Sequence, residues 1–287
     1  GYMNIIPVKR NYIWKDGKTL SIGNHALIMG ILNVTPDSFS DGGNWNTKSQ
    51  ARIRTVQMIK EGAALIDVGA ESTRPGSTPL SAKEEWERLI HFLPEVLKNT
   101  TVPLSVDTYH YENAEKAMSL GAHIMNDIWG LQSDDGSMAR VAAEHQCPVI
   151  VMHNQEKEYA EKDIIENMKC FFDKSIHIAQ KFGIKDENII LDPGIGFGKT
   201  REQDLEVLQK MDQLVSDFSY PWLLAASRKR IVGNTLGITD PTQRDEGTGA
   251  ISLWGIEHGC SMVRVHNVAL NFRLIRMWEA LHGVKGE

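Results

Sequence analysis

The sequence predicts an α/β chain folded as a single (β/α)8 TIM barrel with an N-terminal hairpin capping the barrel floor. Three observations carry that expectation. Eight short apolar runs recur along the 287 residues. Each is too short for a buried helix and rich in aliphatic or β-branched residues, as strands of a parallel sheet covered on both faces are. Each run is followed by a segment with helical periodicity, and eight such units are the count that closes a barrel. The runs also end in polar residues, and the C-terminal ends of its strands are where a barrel keeps its chemistry. A doubly wound sheet is the alternative; eight units with no inserted domain favour closure.

The elements follow in chain order. In NYIWKDGKTLSIG, Asp16-Gly17 sits between alternating residues, a hairpin signal. We assign residues 1–25 to an N-terminal extension and hairpin, and 26–287 to the barrel. The strand runs are ALIMGIL (26–32), ALIDVG (64–69), PLSVD (103–107), HIMNDI (123–128), PVIVMH (148–153), NIILDP (188–193), PWLLAA (221–226) and MVRVH (262–266). Among the helical segments, SAKEEWERLIHFLPEVLK opens with a capping box, Ser81 with Glu84, and Pro94 within it predicts a kink or a break. YENAEKAMSLG stops at Gly121. TREQDLEVLQKM opens with a second box, Thr200 with Gln203. In ALNFRLIRMWEAL the residues Leu270, Leu274, Met277 and Leu281 form an apolar helical face. Trp254 and Trp278 are read as packing in the helix layer rather than as an interface.

Bulk properties exclude several classes. With 31 basic and 37 acidic residues the net charge is -6, so no nucleic-acid footprint is expected. No apolar run is long enough to cross a membrane. Cys147, Cys170 and Cys260 are scattered singly, which suits buried thiols in a reducing cytoplasm. There is no zinc-type Cys/His spacing and no H-E-x-x-H.

LDPGIGFGKT (191–200) looks like a phosphate loop. It misses the P-loop pattern because Pro193 stands where the first glycine belongs. It misses the dinucleotide fingerprint because Lys199 stands where the third belongs. We read it as a strand, a turn and a helix start, with Lys199 solvated.

The strand ends carry Asn33, Asp67, Asp107, Asn126, Asp127, His153, Asn154, Asp192, the run Ser227-Arg228-Lys229-Arg230, and Arg264, His266 and Asn267. Any one of them is explained by capping a βα turn. Capping does not explain Arg264 and His266 alternating on one strand with side chains on one face. Arg74, Lys229, Arg264 and His266 suit an anion such as pyrophosphate. Asp107, Asn126 and Asp192 suit a flat heterocycle with adjacent N–H groups, since an unpartnered buried carboxylate costs about 3 kcal/mol or more. Magnesium held by Asn33, a carboxylate and ligand phosphates suits this oxygen-rich mouth.

Together IMGILNVTPDSFSDGG (28–43), LIDVGAESTRPGS (65–77), NDI, LDPGIGFGK, SRKRIVG and RVHNV resemble the dihydropteroate synthases, the sulfonamide-inhibited enzymes of folate biosynthesis, from about residue 26 to 282. The resemblance implies a transferase that joins p-aminobenzoate to 6-hydroxymethyl-7,8-dihydropterin pyrophosphate and releases pyrophosphate by a dissociative, Mg2+-assisted path. It implies that Asp107, Asn126, Met152, Asp192, Lys229 and Arg264 bind the pterin. Asn33, Arg74, Arg264 and His266 hold pyrophosphate, with Asn33 also on the metal. Phe39, Thr73, Pro75, Phe197 and Arg230 meet p-aminobenzoate, and Asp41, Lys229, Arg264 and His266 serve catalysis. Arg230 departs from the small serine that some members carry there. The resemblance also implies a homodimer. A pterin-dependent methyltransferase shares the fold and the pterin contacts, but has no need of the NVTPDSFSDGG and STRPGS loops. A non-catalytic paralogue is expected to lose Asp41, Arg74 or His266, and all three are present.

Overall fold

The computed structural model describes residues 7–34, 40–41, 44–45, 48–70 and 78–284, with backbone alone at 40–41 and 44–45. The chain begins with β1 (Arg10–Ile13) and β2 (Thr19–Ile22), paired antiparallel from Arg10↔Ile22 to Ile13↔Thr19. The turn between them is closed by Gly17 N–H donating to the Trp14 carbonyl at 2.9 Å.

The barrel strands are β3 (Leu27–Asn33), β6 (Leu65–Gly69), β7 (Leu104–Asp107), β8 (Ile124–Asp127), β9 (Val149–Met152), β10 (Ile189–Asp192), β11 (Leu223–Leu224) and β12 (Met262–Val265). They are parallel, in the order β10-β9-β8-β7-β6-β3-β12-β11. A parallel bridge between Leu191 and Trp222 joins the two ends, with the Leu191 N–H donating to the Pro221 carbonyl at 2.9 Å. All eight expected runs are strands. The run 221–226 is trimmed to two residues, because its neighbour Trp222 makes that closing bridge instead.

Around the barrel lie α1 (Lys48–Glu61), α2 (Ala82–Asn99), α3 (Tyr111–Leu120), α4 (Ser137–His145), α5 (Ile164–Lys181), α6 (Arg201–Gln209), α7 (Met211–Asp217), α8 (Arg230–Leu236), α9 (Asp245–Glu257) and α10 (Val268–Leu281). Between β3 and α1, β4 (Ser40–Asp41) and β5 (Asn44–Trp45) form a small antiparallel pair that the sequence did not announce. Both capping boxes form, and α3 ends on Gly121 in the left-handed region.

Strand periodicity sorts the barrel. Met29, Leu65, Ile124, Ile150, Ile190, Leu223 and Met262 make one inward layer, buried together with Leu20 and Ile22 of the hairpin. The hairpin therefore caps the floor. Each such side chain contributes about 2 kcal/mol by leaving water. The hairpin is also pinned by polar contacts. His123 accepts the Leu104 N–H on Nδ1 at 2.9 Å, so its Nε2–H donates to Asp16 at 2.7 Å. Alternate residues, among them Ile66, Val68, Val106, Val151, Leu191, Val263 and Val265, point outward into the core shared with the helices.

Several expectations need correction. Cys147 and Cys260 are buried thiols, but Cys170 is exposed. Of the kink or break expected at Pro94, the break does not occur: α2 runs on to Asn99. The carbonyl four residues before Pro94 belongs to Ile90, an exposed residue, so the bond that proline cannot donate is lost on the solvent side of the helix. TREQDLEVLQKM is not one helix: the chain turns at Lys210 between α6 and α7. The apolar face of α10 is only partly packed: Leu270 and Leu274 are half-buried, with Leu274 against Gly249 of α9. Val268, Asn271, Ile275 and Glu279 face inward, while Met277 and Leu281 are 58% and 73% exposed. Polar bonds choose this orientation: Asn271 accepts from Ser252 at 2.7 Å, and Glu279 accepts the Ala26 N–H at 3.1 Å.

Candidate active site at the barrel mouth

The site rises directly from the floor layer. Two residues above Leu65, Ile124, Ile150, Ile190 and Met262, on the same face, stand Asp67, Asn126, Met152, Asp192 and Arg264. The same alternation carries Ser105 up to Asp107 and Arg264 up to His266. An apolar floor and a polar tier thus alternate on the same strands, and the tier opens at the C-terminal mouth.

Asp67 organises this tier. Its side chain is fully buried and accepts from Arg264 Nε at 2.8 Å, from Asn126 Nδ2 at 3.2 Å and from the Ser105 hydroxyl. Arg264 also lies 3.9 Å from Asp107. Burial alone would weaken the charge on Arg264; Asp67, Asp107 and Asp192 outweigh it and raise the pKa. Because Asn126 spends its amide N–H on Asp67, its Oδ1 is a buried acceptor with no hydrogen-bond donor among the described residues. A ligand N–H is the partner such an atom calls for. Gly69 keeps room for Asp107 on the next strand: a Cβ there would stand 3.3 Å from the Asp107 Cβ.

Asp192 is buried, and its Oδ1 accepts the Gly194 N–H at 2.8 Å. Burial pushes its carboxyl up, while Lys229 and the Gly194 bond pull the other way. Lys229 donates to the Ile195 carbonyl at 2.6 Å and sits 4.8 Å from the centre of the Phe197 ring. Burial lowers its pKa to about 8 against the pull of Asp192. Met152 pairs with Asp192 across β9 and β10 and is buried.

His266 is held by Ser227. The Ser227 hydroxyl accepts the His266 backbone N–H at 3.1 Å and lies 2.7 Å from His266 Nδ1. Nδ1 is the one acceptor for that hydroxyl proton among the described residues, so the ring hydrogen is assigned to Nε2. Burial, then Arg264 and Arg228, lower the His266 pKa to about 3, so the ring is neutral at neutral pH. Asn33 ends β3 beside Gly69, and Gly69 pairs with Asp107.

Other strand-end residues serve the loops. Asp127 accepts the N–H groups of Trp129 and Leu131, both at 2.9 Å. Asn154 donates to the Ile128 carbonyl at 3.0 Å, and Asn267 caps α10. Arg228, in the left-handed region at φ 60, turns from the mouth to a two-pronged pair with Asp245. Arg230 reaches Glu158 at 3.3 Å and the Lys199 carbonyl at 3.4 Å. Lys199 contradicts its expectation. It is fully buried, because its ammonium finds acceptors inside the loop that the one-dimensional pattern could not reveal. Phe39, Thr73, Arg74 and Pro75 lie outside the described residues, as does the side chain of Asp41.

Sequence reasoning placed Asp67 at a strand end but gave it no role. The usable signal was an acid inside the run ALIDVG, two residues after a floor position; a buried charge there requires a cation. Ser105 and Ser227 left no such signal. Among the described residues no group of three or more His, Cys, Asp or Glu side chains could hold a metal unaided. The donor set fits magnesium only as one that keeps waters, takes one or two protein oxygens such as Asn33, and shares a ligand's phosphates.

Comparison with known proteins matches this geometry. The family described as "Pterin binding enzyme" matches residues 29–266. The dihydropteroate synthase of Bacillus subtilis (strain 168) is 46% identical over 91% of this chain and 90% of its own. A Clostridium difficile dihydropteroate synthase, solved in the presence of pteroic acid, superposes with a TM-score of 0.87 at 44% identity, covering 92% of this chain and 99% of that one. The Xanthomonas albilineans dihydropteroate synthase with 4-aminobenzoic acid gives a TM-score of 0.90 at 33% identity, covering 97% and 100%. With a deep carboxylate–arginine tier at the C-terminal end of the barrel and relatives of this closeness along nearly its whole length, the chain belongs to the pterin-binding enzymes and, among them, to the dihydropteroate synthases.

Proposed function

We propose that this protein condenses 6-hydroxymethyl-7,8-dihydropterin pyrophosphate with p-aminobenzoate, releasing pyrophosphate and forming 7,8-dihydropteroate for folate biosynthesis. The observation that carries the reading is the Asp67 hub. It holds Arg264 and Asn126 in one tier and leaves the Asn126 Oδ1 open as an acceptor. The pterin N–H edge meets that oxygen together with Asp107 and Asp192, while Met152, Lys229 and Arg264 border the ring. His266 donates its Nε2–H to the pyrophosphate alongside Arg264, and Asn33 and Arg74 complete the anion site. Phe197 supplies an aromatic wall for p-aminobenzoate, together with Phe39, Thr73 and Pro75. Arg230 meets the benzoate carboxylate by exchanging its present partner, Glu158. Sulfonamides, which carry the same aryl amine, compete for that wall.

Chemically, the arylamine is a neutral nucleophile and needs no strong base. The demanding event is cleavage of the carbon–oxygen bond, and a dihydropterin spreads the resulting positive charge over its ring. Arg264 and His266 stabilise the departing pyrophosphate, and Asp41 stabilises the cation when its loop closes and excludes water. Magnesium, when bound, supplies charge neutralisation to the pyrophosphate, with Asn33 as the chain's oxygen donor. Asp41→Asn is expected to lower kcat by about a hundredfold and leave pterin affinity nearly unchanged, the usual loss for one electrostatic contact to the transition state. Equal kcat in that variant removes Asp41 from catalysis.

We also read the protein as a cytoplasmic homodimer that uses the outward apolar stripe of α10. The functional test is pyrophosphate release from the dihydropterin pyrophosphate and magnesium, with and without p-aminobenzoate. Release coupled to dihydropteroate supports the reading. Pterin binding without release points instead to a binding paralogue or a methyltransferase.

A further inference from the structure

The most deeply buried cation in the described chain plays no part in the chemistry above. Lys199 is fully buried, and all three hydrogens of its ammonium have acceptors: the Gly194 carbonyl at 2.8 Å, the Phe197 carbonyl at 3.1 Å and His153 Nδ1 at 2.8 Å. Since Nδ1 accepts, His153 carries its hydrogen on Nε2, which donates to Asn167 Oδ1 at 2.8 Å. His153 is itself fully buried, with its ring against the edge of Phe171. A chain of polar contacts therefore runs from α5, through the end of β9, into the loop 193–198. One backbone bond crosses that loop, from the Phe197 N–H to the Gly194 carbonyl at 3.1 Å, and side chains supply its other anchors. Gly194, Gly196 and Gly198 all take positive φ; the carbonyls of Gly194 and Phe197 accept from Lys199, and that of Ile195 accepts from Lys229. Asp204 braces the same loop by accepting the Gly196 N–H at 2.9 Å. The half-buried Phe197 ring lies between these anchors, beneath Lys229.

We propose that Lys199, oriented by His153 and Asn167, is a positioning residue for the arylamine substrate: from behind the loop it fixes the place of the Phe197 ring that forms the p-aminobenzoate wall. The inference rests on the reading of Phe197 given under Proposed function. Lys199 touches neither substrate, so its removal acts through the loop. The neighbouring charges agree with this arrangement. Burial lowers the Lys199 pKa to about 7, and Asp204 and Asp192 pull it back towards the charged form.

The test is steady-state kinetics on the full chain with Lys199→Met, Asn167→Leu and Phe197→Ala, varying each substrate in turn. Lys199→Met keeps the stem and removes the three bonds. It is expected to raise KM for p-aminobenzoate about tenfold or more while changing KM for the pterin pyrophosphate less than about twofold, since losing bonds to a charged group is worth at least one decade. Asn167→Leu, a milder change two contacts away, is expected to show the same split at about threefold. A general loss of stability would lower the melting temperature without separating the two KM values. If Phe197→Ala raises KM for p-aminobenzoate and Lys199→Met, or Asn167→Leu where the lysine variant does not fold, leaves it unchanged, the positioning role is wrong and the reading of Phe197 stands. If Phe197→Ala itself leaves that KM unchanged, both fall together.

Discussion

At the scale of single residues, the mouth is tuned by hydrogen bonds rather than by composition. Ser227 makes His266 a donor at Nε2 by occupying Nδ1. Ser227→Ala is therefore expected to lower kcat/KM about tenfold, and Ser227→Thr, which keeps the hydroxyl, to stay near wild type. A 15N NMR spectrum of the imidazole checks the cause: wild type should show the Nε2–H tautomer and the alanine variant a mixture. Lys229 yields a pH prediction. Its charged form prevails below its pKa of about 8, so kcat/KM should decline as pH rises through that value. In Lys229→Arg the alkaline limb should vanish up to about pH 10, because a guanidinium does not deprotonate there. An unshifted limb would assign the titration to another group. Asp107, Asn126 and Asp192 were legible as strand-end residues, and Arg264 through its alternation with His266 on one strand. The partners of Asp67 were not, since an acid within a strand run announces a partner but does not say which.

At the scale of elements, the loop between β10 and α6 shows how local signals divide. Its capping box was readable, because Thr200 and Gln203 interact within one helical turn. Its interior was not, because Lys199 finds partners in His153, just past β9, and within the curl of its own loop. Gly194 is the tightest point: φ is +70, and a Cβ would fall 2.0 Å from the His153 carbonyl oxygen. Gly194→Ala is expected to cost about 3 kcal/mol or more through strain and backbone displacement, measured by urea unfolding with the slope unchanged. In α10 the apolar spacing was read correctly and its direction was not. Asn271 and Glu279 bind Ser252 and the start of β3, and those bonds turn the helix so that Met277 and Leu281 face out.

At the scale of the whole molecule, that outward stripe has a testable consequence. Replacing Met277 and Leu281 together by glutamate should convert a dimer to a monomer by sedimentation and leave the melting temperature within a few degrees, because neither side chain belongs to the core. A dimer that survives the change places the interface elsewhere. The sequence by itself determined the eight barrel strands in chain order, the hairpin under the floor, both capping boxes and the family to which the chain belongs. These depend on periodicity, local capping and contiguous motifs, all written within a few residues of chain. Only the tertiary structure decided that Asp67 is the hub, that Ser227 orients His266, that Lys199 is buried and that Arg230 faces Glu158. Each of these joins residues distant in the chain, and closing a barrel sets those distances through strand register and layer height, which no single segment contains.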